Sequence, residues 1–440
     1  MSKVKYSTYK PSKTLWQEQI PSHWQETELR MLFADNKNKN IGLVERNLLS
    51  LSYGKLKRKD IDNATGLVPA SFEGYQVIDE GYIVLRFTDL QNDKNSLRVG
   101  YTNEKGIITS AYIGLVPKAD IHSKYFYYQL HFLDKIKYFY NLGGGVRQSL
   151  AYKEFGRETV LIPDKDEQIA IANFLDFKMA KAEGFIRKKR QILALYAERR
   201  KSLTQKLINS ETIKLLRLSS IAPLINRPIE RIENVLYTPV GLYNRGRGLF
   251  HKEQTLGADL GDSSFFNLKQ GDVILSGQFA WEGAVALVGA EDENCIASHR
   301  YPVLKCNTNI IIPEFLFSFF TISRGHFLLD LHSKGAAGRN RPLNPRTIIK
   351  EKIPVPSINL QEELIELINQ ENEIKFLINK EIELVEEYKT ALIAEAVTGK
   401  IDVRGYEVPE VIEEETYEEI EEELGMVAED GVDYQIEETA

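Results

Sequence analysis

The 440-residue chain matches itself at an offset of about 190, and a repeat of that period restricts the architecture before any element is assigned. Residues 79–85 meet 269–275 at an offset of 190, with Gly81 on Gly271 and Leu85 on Leu275. Each segment reads as a turn that feeds a short buried strand. Farther on, the aromatic run 125–130 meets 314–319 at an offset of 189, and a Gly-rich basic loop follows in each half, at 143–149 and 334–341. Beyond the loops Leu150 falls on Leu343, Val160 on Ile353, Pro163 on Pro356 and Gln168 on Gln361, all at 193. A chain this long is too large for one ordinary core, so the repeat predicts a duplicated domain.

Each Pro-containing turn opens a long helix. The first, 167–208, carries Ala182, Ile186, Lys189, Leu193, Tyr196, Arg200, Leu203 and Leu207 at alternating spacings of four and three. The second, 361–397, carries Leu367, Glu371, Ile374, Ile378, Glu381, Val385, Tyr388 and Leu392. Six of eight positions in each row are apolar, as in a coiled-coil seam. Residues 178–206 hold ten bases and two acids, whereas 361–395 hold ten acids and three bases. The helices are therefore expected to pair, antiparallel if the repeat is two-fold, as a rod roughly 50–60 Å long at ~1.5 Å per residue. Late in the helices the offset returns to 189, because the first has about one extra turn. The alternative is that each helix only caps its own domain.

The expected class is α/β (α+β), with domain boundaries at 1–163, 164–210, 211–356, 357–404 and 405–440. The formal net charge of −7 argues against a nucleic-acid partner until the tail is separated. Residues 407–440 contain 15 of the 63 acids and no Lys or Arg, leaving 48 acids against 56 bases in the rest. The body is basic, as a duplex-DNA ligand requires. The tail reads as a disordered solubilising segment, or as a mimic of DNA charge occupying a basic cleft. No membrane span is expected, since the apolar stretch 310–322 is broken by Pro313 and Glu314. The N-terminus lacks the apolar core of a secretory signal, and two cysteines, Cys295 and Cys306, make no disulfide framework, so a cytoplasmic location is expected.

Reading DNA requires Arg or Lys toward guanine, Asn or Gln toward adenine, and further base for phosphates. The two Gly-rich loops supply Arg147 and Gln148, then Lys334, Arg339, Asn340 and Arg341. A second basic run supplies Tyr53, Lys55, Lys57, Arg58 and Lys59, and a third supplies Arg245 and Arg247. Gln278 and Trp281, which follow a strand end, are weaker candidates for the same role, with a core position as the alternative for Trp281. Helix or partner pairing is assigned to Arg187, Lys188, Lys189, Arg190, Arg199 and Arg200 on the first helix and to Glu381, Glu386 and Glu387 on the second, with phosphate contact as the competing use of the bases. Catalytic constellations are missing: no Gly-rich cofactor loop has the required strand and helix around it, and residues 344–346 are a poor relative of a methyltransferase signature. Cys295, His299, Cys306 and His251 give no four-ligand zinc set, and no metal is expected.

The order and doubling of these features resemble type I restriction-modification specificity subunits, whose architecture alternates two target-recognition domains with two conserved helices. Residues 9–12, Trp16 and 20–24 resemble the family's N-terminal signature. The turns 163–168 and 356–361 resemble its helix-start motif, and 391–400 the end of its second helix. The resemblance covers residues 9–404; the second copy departs from it with Leu360 before Gln361, where the first has Glu167 before Gln168. It implies a non-catalytic subunit in which each domain reads half of an asymmetric, bipartite double-stranded DNA site. Two methyltransferase subunits would dock on the helices, joined by restriction and translocase subunits, with S-adenosylmethionine, ATP and Mg²⁺ held in those partners. The rival reading is a coiled-coil adaptor whose globular halves bind protein.

Overall fold

Apolar runs of three to five residues cannot hold a strand alone and need partners from distant sequence. A computed structural model describes residues 4–62, 69, 71–90, 97–118, 120–142, 149–211, 213–335 and 341–409, and shows how that pairing is met. The chain divides into two compact units, the first formed by residues 1–184 and 384–440, the second by 185–383.

In the first unit, strand β1 (Gln25–Glu28) leads to β2 (Phe33–Asp35), the hairpin β3 (Leu48–Ser52) and β4 (Lys55–Lys59), and then β5 (Gln76–Ile78). After β6 (Ile83–Leu85), β7 (Val99–Tyr101), β8 (Gly106–Ile108) and β9 (Ile113–Pro117) comes helix α1 (Ser123–Lys135), followed by β10 (Thr159–Ile162), which pairs with β1. One sheet has the order β2-β9-β6-β7 and the other β4-β3-β8-β5. Buried Phe33, Leu85, Phe87, Tyr125, Phe126 and Phe155 form the centre of the core.

Helix α2 (Lys165–Leu207) is followed in the second unit by β11 (Lys214–Arg217), β12 (Leu224–Ile225), β13 (Val240–Leu242), β14 (Leu249–His251), β15 (Phe265–Asn267) and β16 (Asp272–Leu275). Strands β17 (Val285–Leu287), β18 (Ile296–Ser298) and β19 (Val303–Lys305), helices α3 (Pro313–Thr321) and α4 (Ser323–Leu331), and β20 (Lys352–Val355) complete it before helix α5 (Ile358–Val397). Its main sheet runs β12-β19-β16-β17, strand for strand the order seen in the first unit. Even the parallel contact recurs: Ile107 pairs with Leu48 in one unit and Ile296 bridges Pro239 in the other. The duplicated α/β class with two long helices is thus what the structure shows.

Single hydrogen bonds repeat as well. The Leu150 N–H donates to the Phe87 carbonyl at 3.1 Å, as Leu343 does to Gly277 at 2.8 Å. Gln168 accepts from the His122 N–H at 2.9 Å and donates to the Pro163 carbonyl at 2.9 Å. Gln361 makes the same two bonds with Ile312 and Pro356, at 3.0 and 2.8 Å. A buried amide with both ends satisfied seats each helix start against its domain.

The Glu167 and Leu360 difference has a tertiary reason. Glu167, 1% exposed, accepts from Tyr6 Oη at 2.6 Å and Trp24 Nε1 at 3.1 Å, and meets His23 Nε2 at 2.7 Å. All three partners come from the N-terminal segment. That segment also packs against Gly399, where φ is +71° and a Cβ would lie 2.3 Å from Pro21.

Within each unit the long helices run antiparallel. In the first, Ile171, Phe174 and Leu175 of α2 share a core with Leu392, Ile393 and Val397 of α5, and Glu183 faces Lys389 at 3.9 Å. In the second, Lys189 pairs with Glu381 at 2.7 Å and Arg200 with Glu371 at 2.8 Å. These are the four polar positions of the two seams, so each seam's charges are matched by the other's. The seam departs from its expected row at Tyr388, which is 50% exposed, because Lys389 instead turns toward Glu183.

Two buried groups of α1 should shape the pH dependence of the first unit. Burial pushes the His131 imidazole down to about 4, so it folds neutral, because an imidazolium there would lose its hydration. Its contribution is complete above the ordinary imidazole range near 6.5 and is lost as pH falls from there toward 4. Burial raises the Asp134 carboxyl to about 6, which makes folding favour the protonated acid; stability falls as pH rises from about 4 to 6. Replacing His131 with Gln is expected to flatten the acid loss, and replacing Asp134 with Asn to stabilise the unit at pH 8 but not at pH 4, by up to roughly 3 kcal/mol. Urea titrations at the two pH values would disprove this if both variants shifted equally at each.

Candidate nucleic-acid interface

In the second unit, three stretches far apart in sequence are brought together. The β13–β14 hairpin ends in residues 243–248, where Arg245 and Gly246 both take positive φ, 59° and 67°. That conformation lets the Arg245 and Gly246 N–H groups donate to the Glu282 and Gly283 carbonyls at 3.0 and 2.8 Å. Gly246 is required by contact too, since a Cβ would come within 2.7 Å of Thr321 Cγ2. The Asn244 amide donates to the Glu282 carboxylate, and Arg247 lies over the Tyr243 ring at 5.1 Å. From α5, Lys375 Nζ donates to the Arg247 carbonyl at 3.1 Å. Arg245 and Arg247 are both exposed on this braced loop.

The second stretch is the turn after β16. Ser276 Oγ accepts from the N–H groups of Gln278 and Phe279 at 3.3 and 3.0 Å, which folds the turn and leaves Gln278 exposed. Trp281 Nε1 donates to the Gln278 carbonyl at 3.2 Å. The third stretch contributes Arg341, whose guanidinium lies 5.0 Å from the Trp281 ring centroid and pairs with Asp330 at 2.7 Å. Trp281 is therefore a platform under an arginine rather than core. Lys334 is exposed and lines a groove of about 680 Å³ with His332 and Asn344. Arg339 and Asn340 lie outside the described residues.

The first unit presents a different basic hairpin. Strands β3 and β4 pair over five residues, closed by Tyr53 and Gly54, with φ of 47° and 78° as a two-residue primed turn requires. Strand alternation puts Lys55, Lys57 and Lys59 on one face. Lys55 pairs with Glu183 at 3.0 Å, and Arg58 on the other face grips Glu104 through Nε at 2.8 Å and Nη2 at 2.5 Å. Those hydrogen bonds hold the Glu104 carboxyl below its ordinary range. Lys57 and Lys59 are exposed and, among the described residues, have no ion-pair partner. Tyr53 is 48% exposed at the tip, while Arg147 and Gln148 lie outside the described residues.

On the long helices, Arg200 is buried: its ion pair with Glu371 is joined by a 3.2 Å bond to Thr321 and by the Phe317 ring at 4.7 Å. Lys188, Arg190 and Arg199 face solvent and Arg187 is half-buried. Glu386 pairs along its own helix with Lys389 at 3.1 Å, and Glu387 is exposed. Sequence reasoning had no signal for Asn244, Glu282, Asp330 or Lys375, since each acts through a partner more than ten residues away.

Among the described residues the arrangement offers cations, amides and aromatic faces but no assembled nucleophile. Cys295 Sγ lies 3.8 Å from His251 Nε2, and Asp292 lies 2.8 Å from that same nitrogen, so the imidazole cannot relay a proton between them. Burial also pushes the Cys295 thiol up, opposite to activation. Among the described residues no group of three His, Cys, Asp or Glu side chains could hold a metal ion, and no helix is long and apolar enough to cross a membrane.

No family model and no curated protein matches the chain. Solved structures do match, at low identity. One, from work on complex assembly and conformational transition of the type I R-M system, is 13% identical, covering 87% of this chain and 99% of its own, with a TM-score of 0.45. A type I restriction-modification S subunit from M. genitalium is 14% identical, covering 85% and 96%, at 0.42. The HsdS subunit of Thermoanaerobacter tengcongensis is 13% identical, covering 87% and 98%, at 0.32.

Proposed function

We propose that the chain is the DNA-reading specificity subunit of a type I restriction-modification system, in which each unit reads one half of a bipartite asymmetric site and the antiparallel helices space the halves. The observation that carries this reading is a duplicated scaffold, repeated to single hydrogen bonds, whose two copies display different basic hairpins. One framework with two different faces suits two different half-sites. The subunit itself would be non-catalytic and cytoplasmic. Adenine methylation and ATP-dependent restriction would belong to two methyltransferase subunits and to restriction and translocase subunits, which would hold S-adenosylmethionine, ATP and Mg²⁺. Leu195, Phe376 and Leu377 on the second unit's helix stretches, 63%, 69% and 55% exposed, support docking of such partners on the helices.

The test against a protein-binding adaptor is the salt dependence of duplex binding. A DNA reader loses affinity linearly on a log–log plot, by about 0.9 per phosphate neutralised, and an adaptor shows no slope. Replacing Lys57 and Lys59 with Gln is expected to weaken binding alike on all sequences and to reduce the slope by about 1 to 2. An unchanged slope would remove this hairpin from the interface.

A further inference from the structure

Arg341 is held in a way that an ordinary surface cation is not. Trp281 covers one face of its guanidinium at 5.0 Å, and Asp330 takes one Nη2 hydrogen at 2.7 Å. Trp281 is itself tied to the Gln278 carbonyl, and the segment carrying Arg341 is tied to the same turn by the bond from the Leu343 N–H to Gly277. The plane and direction of the guanidinium are therefore set before any ligand arrives. Its Nε and Nη1 groups have no hydrogen-bond partner among the described residues.

We infer that Arg341 reads a guanine in the half-site of the second unit, with Asp330 and Trp281 as positioning residues. This rests on the DNA-reading function proposed above. A planar fork of donors matches the O6 and N7 acceptors of guanine in the major groove. Phosphate offers a similar pair of acceptors, but the Asp330 carboxylate decides between them. It repels an anion, whereas a neutral base edge meets only the directed hydrogens. Arg245 and Arg247, on the adjoining loop, carry charge toward the backbone. Gln278, exposed one residue past the anchoring Gly277 carbonyl, adds an amide suited to adenine on the same turn.

The experiment is selection of bound duplexes from a randomised library by the full-length chain, followed by titration of the selected site and of an unselected duplex across salt. The wild-type protein is expected to enrich guanine at one position of one half-site. Arg341→Lys keeps the charge and loses the fork; it should abolish that preference and weaken the selected site by about ten- to a hundredfold, far more than it weakens unselected duplex. Asp330→Asn should relax the same position while binding unselected duplex as well or better, and Asp330→Glu should restore the preference. If both Arg341→Lys and Asp330→Asn retain guanine, or lose affinity equally on every duplex, the guanine assignment is overturned and DNA reading stands. A wild-type chain that enriches no sequence overturns both.

Discussion

Arg200→Ala is expected to destabilise the second unit by about 3–5 kcal/mol, because it leaves a partly buried carboxylate without its partner. The guanidinium is 4% exposed and satisfies Glu371, which is itself only 19% exposed, so truncation strands a carboxylate away from water. It also removes the cation over Phe317 and the bond to Thr321, whose methyl abuts Gly246 of the hairpin loop. Replacing the pair together, Arg200→Met with Glu371→Met, should recover most of the loss, because the desolvation of both charges disappears with them. Urea unfolding followed by circular dichroism distinguishes the cases. A single variant costing less than 1 kcal/mol would mean that the pair is solvated and does not fix the helix register.

The second large effect lies in the first unit. Trp24 is fully buried, edge-on to Tyr6 and Tyr125 with centroids 6.0 and 6.3 Å away, and its indole N–H reaches Glu167. Trp24→Ala should cost about 3–5 kcal/mol through the cavity alone, and Trp24→Phe about 1–2 kcal/mol for the lost donor to a buried carboxylate. The N-terminal segment is the element that should detach first, so limited proteolysis should cut before Trp24 in the alanine variant faster than in wild type. Equal cleavage rates would show that the segment is held by something other than the Trp24 and Glu167 contact.

How much of this was legible in sequence depends on how local each signal is. The alignment of Leu150 with Leu343 and of Gln168 with Gln361 holds down to individual hydrogen bonds, because a duplicated scaffold keeps the residues that satisfy its own backbone. Apart from Tyr388, the seam rows hold for the same kind of reason: helical spacing is a local periodicity. Even the pairs Lys189 with Glu381 and Arg200 with Glu371 lie at the two polar interruptions of each row. By contrast, the Glu167 departure is opaque until the N-terminal segment is seen to deliver three polar partners to it. Trp281 reads as a DNA contact or as core until Arg341 is found above it.

The chain's sequence alone determines that there are two copies of one domain, that each ends in a long helix, and that the helices carry opposite charge. These follow from periodicity, turn residues and composition, which act over a few residues at a time. Only the tertiary structure decides which of the many basic side chains remain open to a ligand. Lys55 and Arg58 are engaged by Glu183 and Glu104, while Lys57 and Lys59, one strand position from Arg58, have no ion-pair partner among the described residues. The physical reason is that an ion pair depends on where a distant acid lands, and strand register and helix packing set that position through contacts that neighbouring residues do not encode.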